Sequence, residues 1–375
     1  MYEAVHSGKL SGDGIFTQKC QQFLESEYGF GRCFLTTSCT DALEMAAILI
    51  DIKEGDEVIV PSFTFVSTAN AFVLRGAKIV FADSSPMSPN IDPQKIEALI
   101  NHRTKAIVVV HYAGVACDMD AIMGLASKHD LIVVEDAAKA IDSYYKGRPL
   151  GSIGHFGAFS FHETKNIQSG EGGCLVVNDR KFLQRAEVIR EKGTNRSSFF
   201  RGEINKYSWI DIGSSFLPSE ITAAFLFAQL ESLEHIQHKR KQIWECYFDQ
   251  FRSLAAAGYF QLPVVPEYAT NNGHAFYLVC NSITERDQLM DFLTKKGIMA
   301  IFHYLPLHLS PFYREKHDGR ELRFAVYYSE TILRLPLFVE LTENEQEYVI
   351  ENVYLFFKAP YLHLDRAAVK KMSNS

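Results

Sequence analysis

The chain has 375 residues, 47% hydrophobic and 22% charged, an ordinary globular composition. Lys and Arg number 38 against 45 Asp and Glu, a net charge of −7, which argues against a nucleic-acid binder that works by neutralising phosphates. The length exceeds what one simple core fills, so a larger and a smaller domain are expected. The seven cysteines, at 20, 33, 39, 117, 174, 246 and 280, are scattered and contain no CxxC. That pattern speaks against a disulfide framework or a zinc site and fits reduced thiols. No apolar run approaches the ~18 residues that cross a membrane, and "MYEAVHSGKL" lacks a signal-peptide core. The expectation is a cytoplasmic protein without metal, membrane or nucleic-acid partners.

The first half alternates short apolar runs with helical patterns. "DEVIVPSF" reads as a strand and "VSTANAFVLRG" as a helix ended by Gly76. "AKIVFAD", "KAIVVVHYAG" and "LIVVEDAA" read as further strands, with "PQKIEALIN" and "DMDAIMGLASKHD" as the helices between them. Runs of β-branched residues separated by helices predict an α/β fold with a mainly parallel sheet covered on both faces. Ligands of such sheets bind at the carboxyl ends of the strands. After Asn178, "KFLQRAEVIREKG" is a helix, "TNRSSFFRGEINKYSWIDIGSSF" a polar and aromatic loop, and residues 218–258 long helical material. A second α/β region follows. "HAFYLVCNS" and "IMAIFHYLP" are its strands, "RDQLMDFLTKKG" and "ENEQEYVIENVYLFF" its helices. The expected division is 1–235 and 236–375.

Three features fall at element ends. Asp136 follows the apolar strand of "LIVVEDAA"; it reads equally as a helix N-cap or as the counter-charge of a cationic ring nitrogen. "TTSCTDAL" opens a helix, where Ser38 or Thr40 acts as a simple cap or the first turn cradles a phosphate. "SFHETKNIQSGEGG" holds Lys165, five residues after Ser160 and before several glycines, which would leave room beside the amine for something bulky. An amine that forms a Schiff base, a carboxylate for a pyridine nitrogen and a phosphate cradle are together the needs of pyridoxal 5'-phosphate (PLP). Burial that lowers the pKa of Lys165 would help it move protons.

"PSFTFVSTANAFVLRGAKIVFAD", "IVVVHYAGVACDMDAI", "VVEDAA", "FSFHETKN" and "GEGG" resemble the DegT/DnrJ/EryC1/StrS sugar aminotransferases, in order and spacing, over about residues 8 to 355. The resemblance implies fold type I, a mainly parallel sheet sandwiched by helices with a smaller C-terminal α/β domain. It implies PLP as cofactor, with Lys165 as the Schiff-base lysine, Asp136 on the ring nitrogen, Phe65 stacked on the pyridine face, and Ser160, Cys39 and Thr40 on the phosphate. It also implies a homodimer with shared active sites, in which the position matching a neighbour's phosphate-binding Asn is here Ser215. Lys139 stands where the family usually has Gln or His on the cofactor's phenolic oxygen; a lysine can donate the same bond or turn aside. Family members usually carry further residues ahead of "YEAVHSGKL", so the resemblance implies a stretch near the substrate entrance that precedes these residues.

"GKLSGDG", "SCTDALEMAA", "EKGTNRSSFFRG" and "DIGSS" resemble members that move an amino group from L-glutamate to C4 of a dTDP-linked 4-keto-6-deoxy sugar. Arg196 and Arg201, among aromatics, are candidates for the sugar-nucleotide diphosphate or for a solvated or dimer-contact loop. Amination at C3, the other C4 epimer and a PLP-binding regulator without turnover are the alternatives. Lys165 argues against the family's dehydratases, which carry histidine there.

Overall fold

The computed structural model describes residues 1–358; residues 359–375, the end of the expected second domain, lie outside the described residues. Seven strands make the main sheet: β1 (Cys33–Thr36), β2 (Glu57–Pro61), β3 (Lys78–Ala82), β4 (Thr104–Val110), β5 (Ile132–Asp136), β6 (Phe156–Ser160) and β7 (Gly173–Val177). Their spatial order is β1-β7-β6-β5-β4-β2-β3. From β6 to β3 every neighbouring pair is parallel, while β7 runs antiparallel to both β6 and β1. The runs are uniformly apolar because both faces are covered. Val58 and Val60 pack into the core on one face, and Ile59 into the core on the other; Val108 and Val109 divide in the same way.

The covering helices include α1 (Ile15–Tyr28), α2 (Cys39–Leu49), α3 (Ser67–Val73), α4 (Met119–His129), α5 (Leu183–Arg190) and α7 (Glu220–Glu231). Between α5 and α7, the segment expected to be a plain loop contains a short helix, α6 (Arg196–Phe200). The long helical stretch breaks at Ser232, the C-cap of α7, and resumes as α8 (Leu233–Ala256). A division at residue 235 would fall in the first turn of α8.

The second sheet has four strands, β8 (Phe260–Gln261), β9 (Phe276–Cys280), β10 (Ile301–Phe302) and β11 (Ile332–Leu335), ordered β8-β9-β11-β10 and antiparallel throughout. Its core joins Phe276 and Leu278 to Phe251 of α8, to Leu289 of α9 (Ile283–Lys295) and to Ile350 of α11 (Glu343–Phe356). The expected strand at 298–306 is only two residues long, because β10 is an edge strand with both side chains exposed and Pro306 follows shortly after. Arg320 and the first turn of α10 (Arg323–Thr331) fasten this sheet to the first. Asp83 accepts the amides of Phe324 and Ala325 at 3.2 and 2.8 Å, and Arg320 donates to the Phe81 carbonyl at 3.0 Å. The second sheet is thereby held over the carboxyl ends of the first.

Candidate active site

A cavity of about 320 Å³ opens at those carboxyl ends. It brings Asp136, Ser160 and Lys165 together with Cys39, Thr40, Phe65 and Lys139. Asp136 is the last residue of β5 and is 6% exposed. No α-helix follows it, so it is not a helix cap; Oδ1 accepts the Ala138 amide at 3.1 Å, closing a turn. Oδ2 accepts the Thr68 hydroxyl at 2.6 Å. Two donors on separate elements fix the carboxylate toward the cavity.

Lys165 sits on a tight loop after β6. Its amide donates to the His162 carbonyl at 2.9 Å, and Ser169 closes the loop by donating to the Phe161 carbonyl at 2.7 Å. Burial pushes the ammonium below the usual lysine range; nearby Cys39 and Asp136 oppose this, and Arg334 adds to it. An amine that gives up its proton more readily, beside a fixed carboxylate, suits nucleophilic and proton-transfer work.

The start of α2 forms the opposite wall. Ser38 caps it, its side chain accepting from the Asp41 amide at 3.1 Å. The cap does not preclude a phosphate cradle, since Ser38, Cys39 and Thr40 line the cavity with the positive end of the helix behind them. Thr40 donates to Ser67 Oγ at 2.9 Å. Ser160 Oγ accepts the His162 amide at 3.3 Å, which orients it at the cavity edge. Phe65 is 57% exposed, an apolar ring left open at the cavity mouth.

Of the glycines after Lys165, Gly172 lines the cavity, while Gly173 and Gly170 do not make the room expected of them. A Cβ on Gly173 would lie 2.3 Å from the Ser38 carbonyl carbon and 2.4 Å from the Cys39 nitrogen. Gly173 therefore admits the first turn of α2, not a ligand. Gly170 has φ +76° with nothing within 4 Å of its Cβ position, so it serves the turn itself.

Several wall residues came from no sequence signal. Thr68 of α3 reaches Asp136 from another element. His303, Tyr304 and Arg334 enter from the second sheet, and the His303 ring meets the Tyr112 hydroxyl at 3.1 Å. His274 and Asn166 share a 2.9 Å hydrogen bond beside Lys165. His111, also on the wall, takes the Cys117 amide on Nδ1 at 3.2 Å and so faces buried Glu135 through Nε2 at 3.0 Å. Glu135 accepts three backbone amides, from Gly151, Ile153 and Gly154. This buried pair anchors the β4 and β5 ends next to Asp136.

Three expected residues do not line the cavity. Ser215 is exposed and pairs through its backbone with Glu191. Arg196 lies with its guanidinium carbon 5.0 Å from the Phe200 ring centre. Arg201 is bound by Glu187 at 3.0 Å and Glu203 at 2.7 Å. Among the described residues, no group of His, Cys, Asp and Glu could hold a metal ion, and no helix is long and apolar enough to cross a membrane.

The donor set fits PLP: an amine, a carboxylate held by two donors, a helix N-terminus with a serine beside it, and an open aromatic ring. The architecture and the site together are those of a fold type I PLP-dependent aminotransferase. The profile of the DegT/DnrJ/EryC1/StrS aminotransferase family matches residues 1–354, and the chain belongs to that family of PLP-dependent sugar aminotransferases. It is 34% identical to the spore coat polysaccharide biosynthesis protein SpsC of Bacillus subtilis, over 94% of this chain and 92% of SpsC. It is also 34% identical to a pleiotropic regulatory protein of Geobacillus stearothermophilus, over 85% and 83%. Among solved structures, an aminotransferase from Psychrobacter cryohalolentis superposes with a TM-score of 0.89 at 28% identity, covering 95% of each chain. DesV of S. venezuelae, in complex with a ketimine intermediate, gives 0.87 at 29%, covering 96% and 93%.

Proposed function

We propose that this aminotransferase moves the amino group of L-glutamate to C4 of dTDP-4-dehydro-6-deoxy-D-glucose. The product would be dTDP-4-amino-4,6-dideoxy-D-galactose, for a surface polysaccharide such as lipopolysaccharide or enterobacterial common antigen. The observation that carries the aminotransfer is Lys165 and Asp136 opening into one cavity with the start of α2. The sugar follows from the resemblance of "GKLSGDG", "SCTDALEMAA", "EKGTNRSSFFRG" and "DIGSS" to dTDP-4-amino-4,6-dideoxygalactose transaminase. SpsC is named for polysaccharide biosynthesis, which supports the setting.

When bound, PLP supplies an electron sink and a carrier for the amino group. Lys165 would hold it and move a proton at Nζ. Asp136 would keep the ring nitrogen protonated, and Thr68 would orient Asp136. Cys39, Thr40 and Ser160 would bind the phosphate, Phe65 would cover the ring, and Lys139 would donate to the phenolic oxygen. Ser215 would reach the phosphate of a neighbouring subunit's site in a cytoplasmic homodimer. Arg196 and Arg201 would meet the sugar-nucleotide diphosphate. For Arg201 this requires exchanging Glu187 and Glu203 for phosphate. A division into domains 1–235 and 236–375 belongs to the same proposal.

The test is incubation with L-glutamate and dTDP-4-dehydro-6-deoxyglucose, with NMR of the product. An axial C4 amine is expected; an equatorial one, or no product from this sugar, replaces the substrate assigned here. The regulatory relative favours a second reading, a PLP-binding regulator without turnover. Release of 2-oxoglutarate from glutamate separates the two, since a regulator would release none.

A further inference from the structure

His274 stands on the cavity wall just ahead of β9 and is buried. Its backbone is held at both polar groups. The amide donates to Asn272 Oδ1 at 3.0 Å, and the carbonyl accepts from Arg240 at 2.9 Å. Its ring is held by a buried network that also fixes where its proton sits. Gln237 donates through Nε2 to the Ile141 carbonyl at 3.4 Å and to the Asp142 carboxylate at 3.2 Å, which leaves its Oε1 as an acceptor. Asn166 donates through Nδ2 to that Oε1 at 2.8 Å and to the Asn272 carbonyl at 2.9 Å. Both partners only accept, so Asn166 Oδ1 is turned to His274 Nδ1, 2.9 Å away, and must receive a proton from it. His274 therefore carries its hydrogen on Nδ1, and Nε2 is bare. Burial keeps a second proton off the ring, and so do the cations around it, Lys165, Lys139, Arg240 and Arg334. Among the described residues Nε2 has no hydrogen-bond partner. Asn166 lies behind the wall and does not line the cavity, so Nε2 is the ring edge left to it.

A neutral, buried acceptor without a partner calls for a donor that arrives with a ligand. The lysines beside it are engaged elsewhere in the function proposed above, Lys165 with the cofactor and the migrating proton, Lys139 with the phenolic oxygen. The carboxylates of glutamate only accept, so they cannot satisfy Nε2. A sugar offers hydroxyls. His274 stands beside Lys165, so the hydroxyl must lie next to the reacting carbon. Two ring carbons flank C4 in a 4-keto-6-deoxy sugar. C3 carries a hydroxyl; C5 carries the methyl group and the ring oxygen, and neither donates. We infer that Nε2 of His274 accepts the C3 hydroxyl of the sugar substrate and makes His274 a specificity-determining residue. This rests on the sugar-aminotransferase reading above and adds to it the contact that recognises the carbon next to the keto group.

Two substitutions separate this contact from the network behind it. Asparagine places an amide nitrogen where Nδ1 stands, so His274→Asn keeps the bond to Asn166 and removes the cavity acceptor. Glutamine places an amide oxygen where Nε2 stands, so His274→Gln keeps the acceptor and gives up the bond to Asn166. Wild type and both variants, loaded with PLP and supplied with glutamate, are given dTDP-4-dehydro-6-deoxyglucose and its 3-deoxy counterpart in competition. The readout is the ratio of the two kcat/KM values on one protein, so a loss of cofactor or of the glutamate step cancels. Wild type should prefer the hydroxyl-bearing sugar by about tenfold or more, since the deoxy sugar leaves a buried acceptor stranded. His274→Asn should bring the ratio close to unity, and His274→Gln should recover most of the preference. Nitrogen NMR of the histidine-labelled holoenzyme should show a ring held in the Nδ1–H form across the neutral pH range, its signals missing from His274→Asn. A His274 ring with its hydrogen on Nε2, equal use of the two sugars by wild type, or an undiminished preference in His274→Asn overturns the hydroxyl contact alone. A wild type that aminates neither sugar overturns the substrate assigned above, and the contact with it.

Discussion

Gly173→Ala tests how the phosphate cradle is built. Gly173 pairs with Ser160 on one side and Thr36 on the other, so its strand is held from both edges. The added Cβ would sit 2.3 Å from the Ser38 carbonyl carbon, 2.4 Å from the Cys39 nitrogen and 2.4 Å from the Ser38 oxygen. All three are backbone atoms, and ordinary contact needs about 1 Å more. A strand gripped on both sides cannot retreat, so the first turn of α2 must move. Overpacking of this kind costs about 3 kcal/mol. If α2 moves in the apoprotein, little stability is lost but PLP meets a displaced cradle, and its Kd rises about a hundredfold. If α2 stays, the apoprotein melts earlier and cofactor affinity is kept. The assay is a PLP titration of the apoprotein beside its denaturant unfolding curve. Gly170→Ala is the control: it meets nothing within 4 Å, so its cost is the φ of +76° alone, about 1 kcal/mol, with PLP affinity intact. Wild-type stability together with wild-type PLP affinity in Gly173→Ala would refute the reasoning.

Borohydride reduction of the holoenzyme should place the pyridoxyl group on Lys165, with Lys165→Ala retaining cofactor non-covalently but not turning over; a label on Lys139 would exchange the two assignments. Asp136→Asn should slow turnover by about 10²-fold or more with a smaller loss of PLP occupancy, and Thr68→Val, which removes one of its two donors, by about tenfold; equal effects would show that Thr68 does more than orient Asp136. Because Lys139 is buried with a lowered pKa, the unfolded chain binds more protons between that value and the ordinary ~10.4 of lysine, so its share of stability rises with pH through that window. Apoprotein denaturation from pH 7.5 upward should therefore show a shallower rise in Lys139→Gln than in wild type, and an identical slope would mean that Lys139 keeps its proton. Alanine at Arg196 or Arg201 should raise KM for the sugar nucleotide and leave the glutamate half-reaction alone; unchanged KM in both moves the diphosphate elsewhere.

Local pattern carried the parallel strands. Val58 to Val60 and Val133 to Val134 are apolar without alternation, and only a sheet covered on both faces makes use of that. It missed β1, β7, β8 and β11. "CFLT" is too short to stand out, and the glycine at the head of "GCLVV" reads as a turn although it begins a central strand. The antiparallel course of β7 is a matter of pairing partners, which no single segment encodes.

Asp136, Ser160, Lys165 and the start of α2 were legible because each sits at the end of an element that its own neighbours in sequence specify. What faces them was not. Thr68 holds Asp136 from α3, and Arg334, His303 and Tyr304 descend from a sheet built of residues 260–335. Gly173 looked like space for a ligand and proved to be space for a helix. Side-chain chemistry is written residue by residue and can be read that way. The surroundings that lower a lysine's pKa, leave a guanidinium Nε without a partner or bring a Cβ against a backbone exist only once distant segments are packed together, so tertiary structure alone decides them.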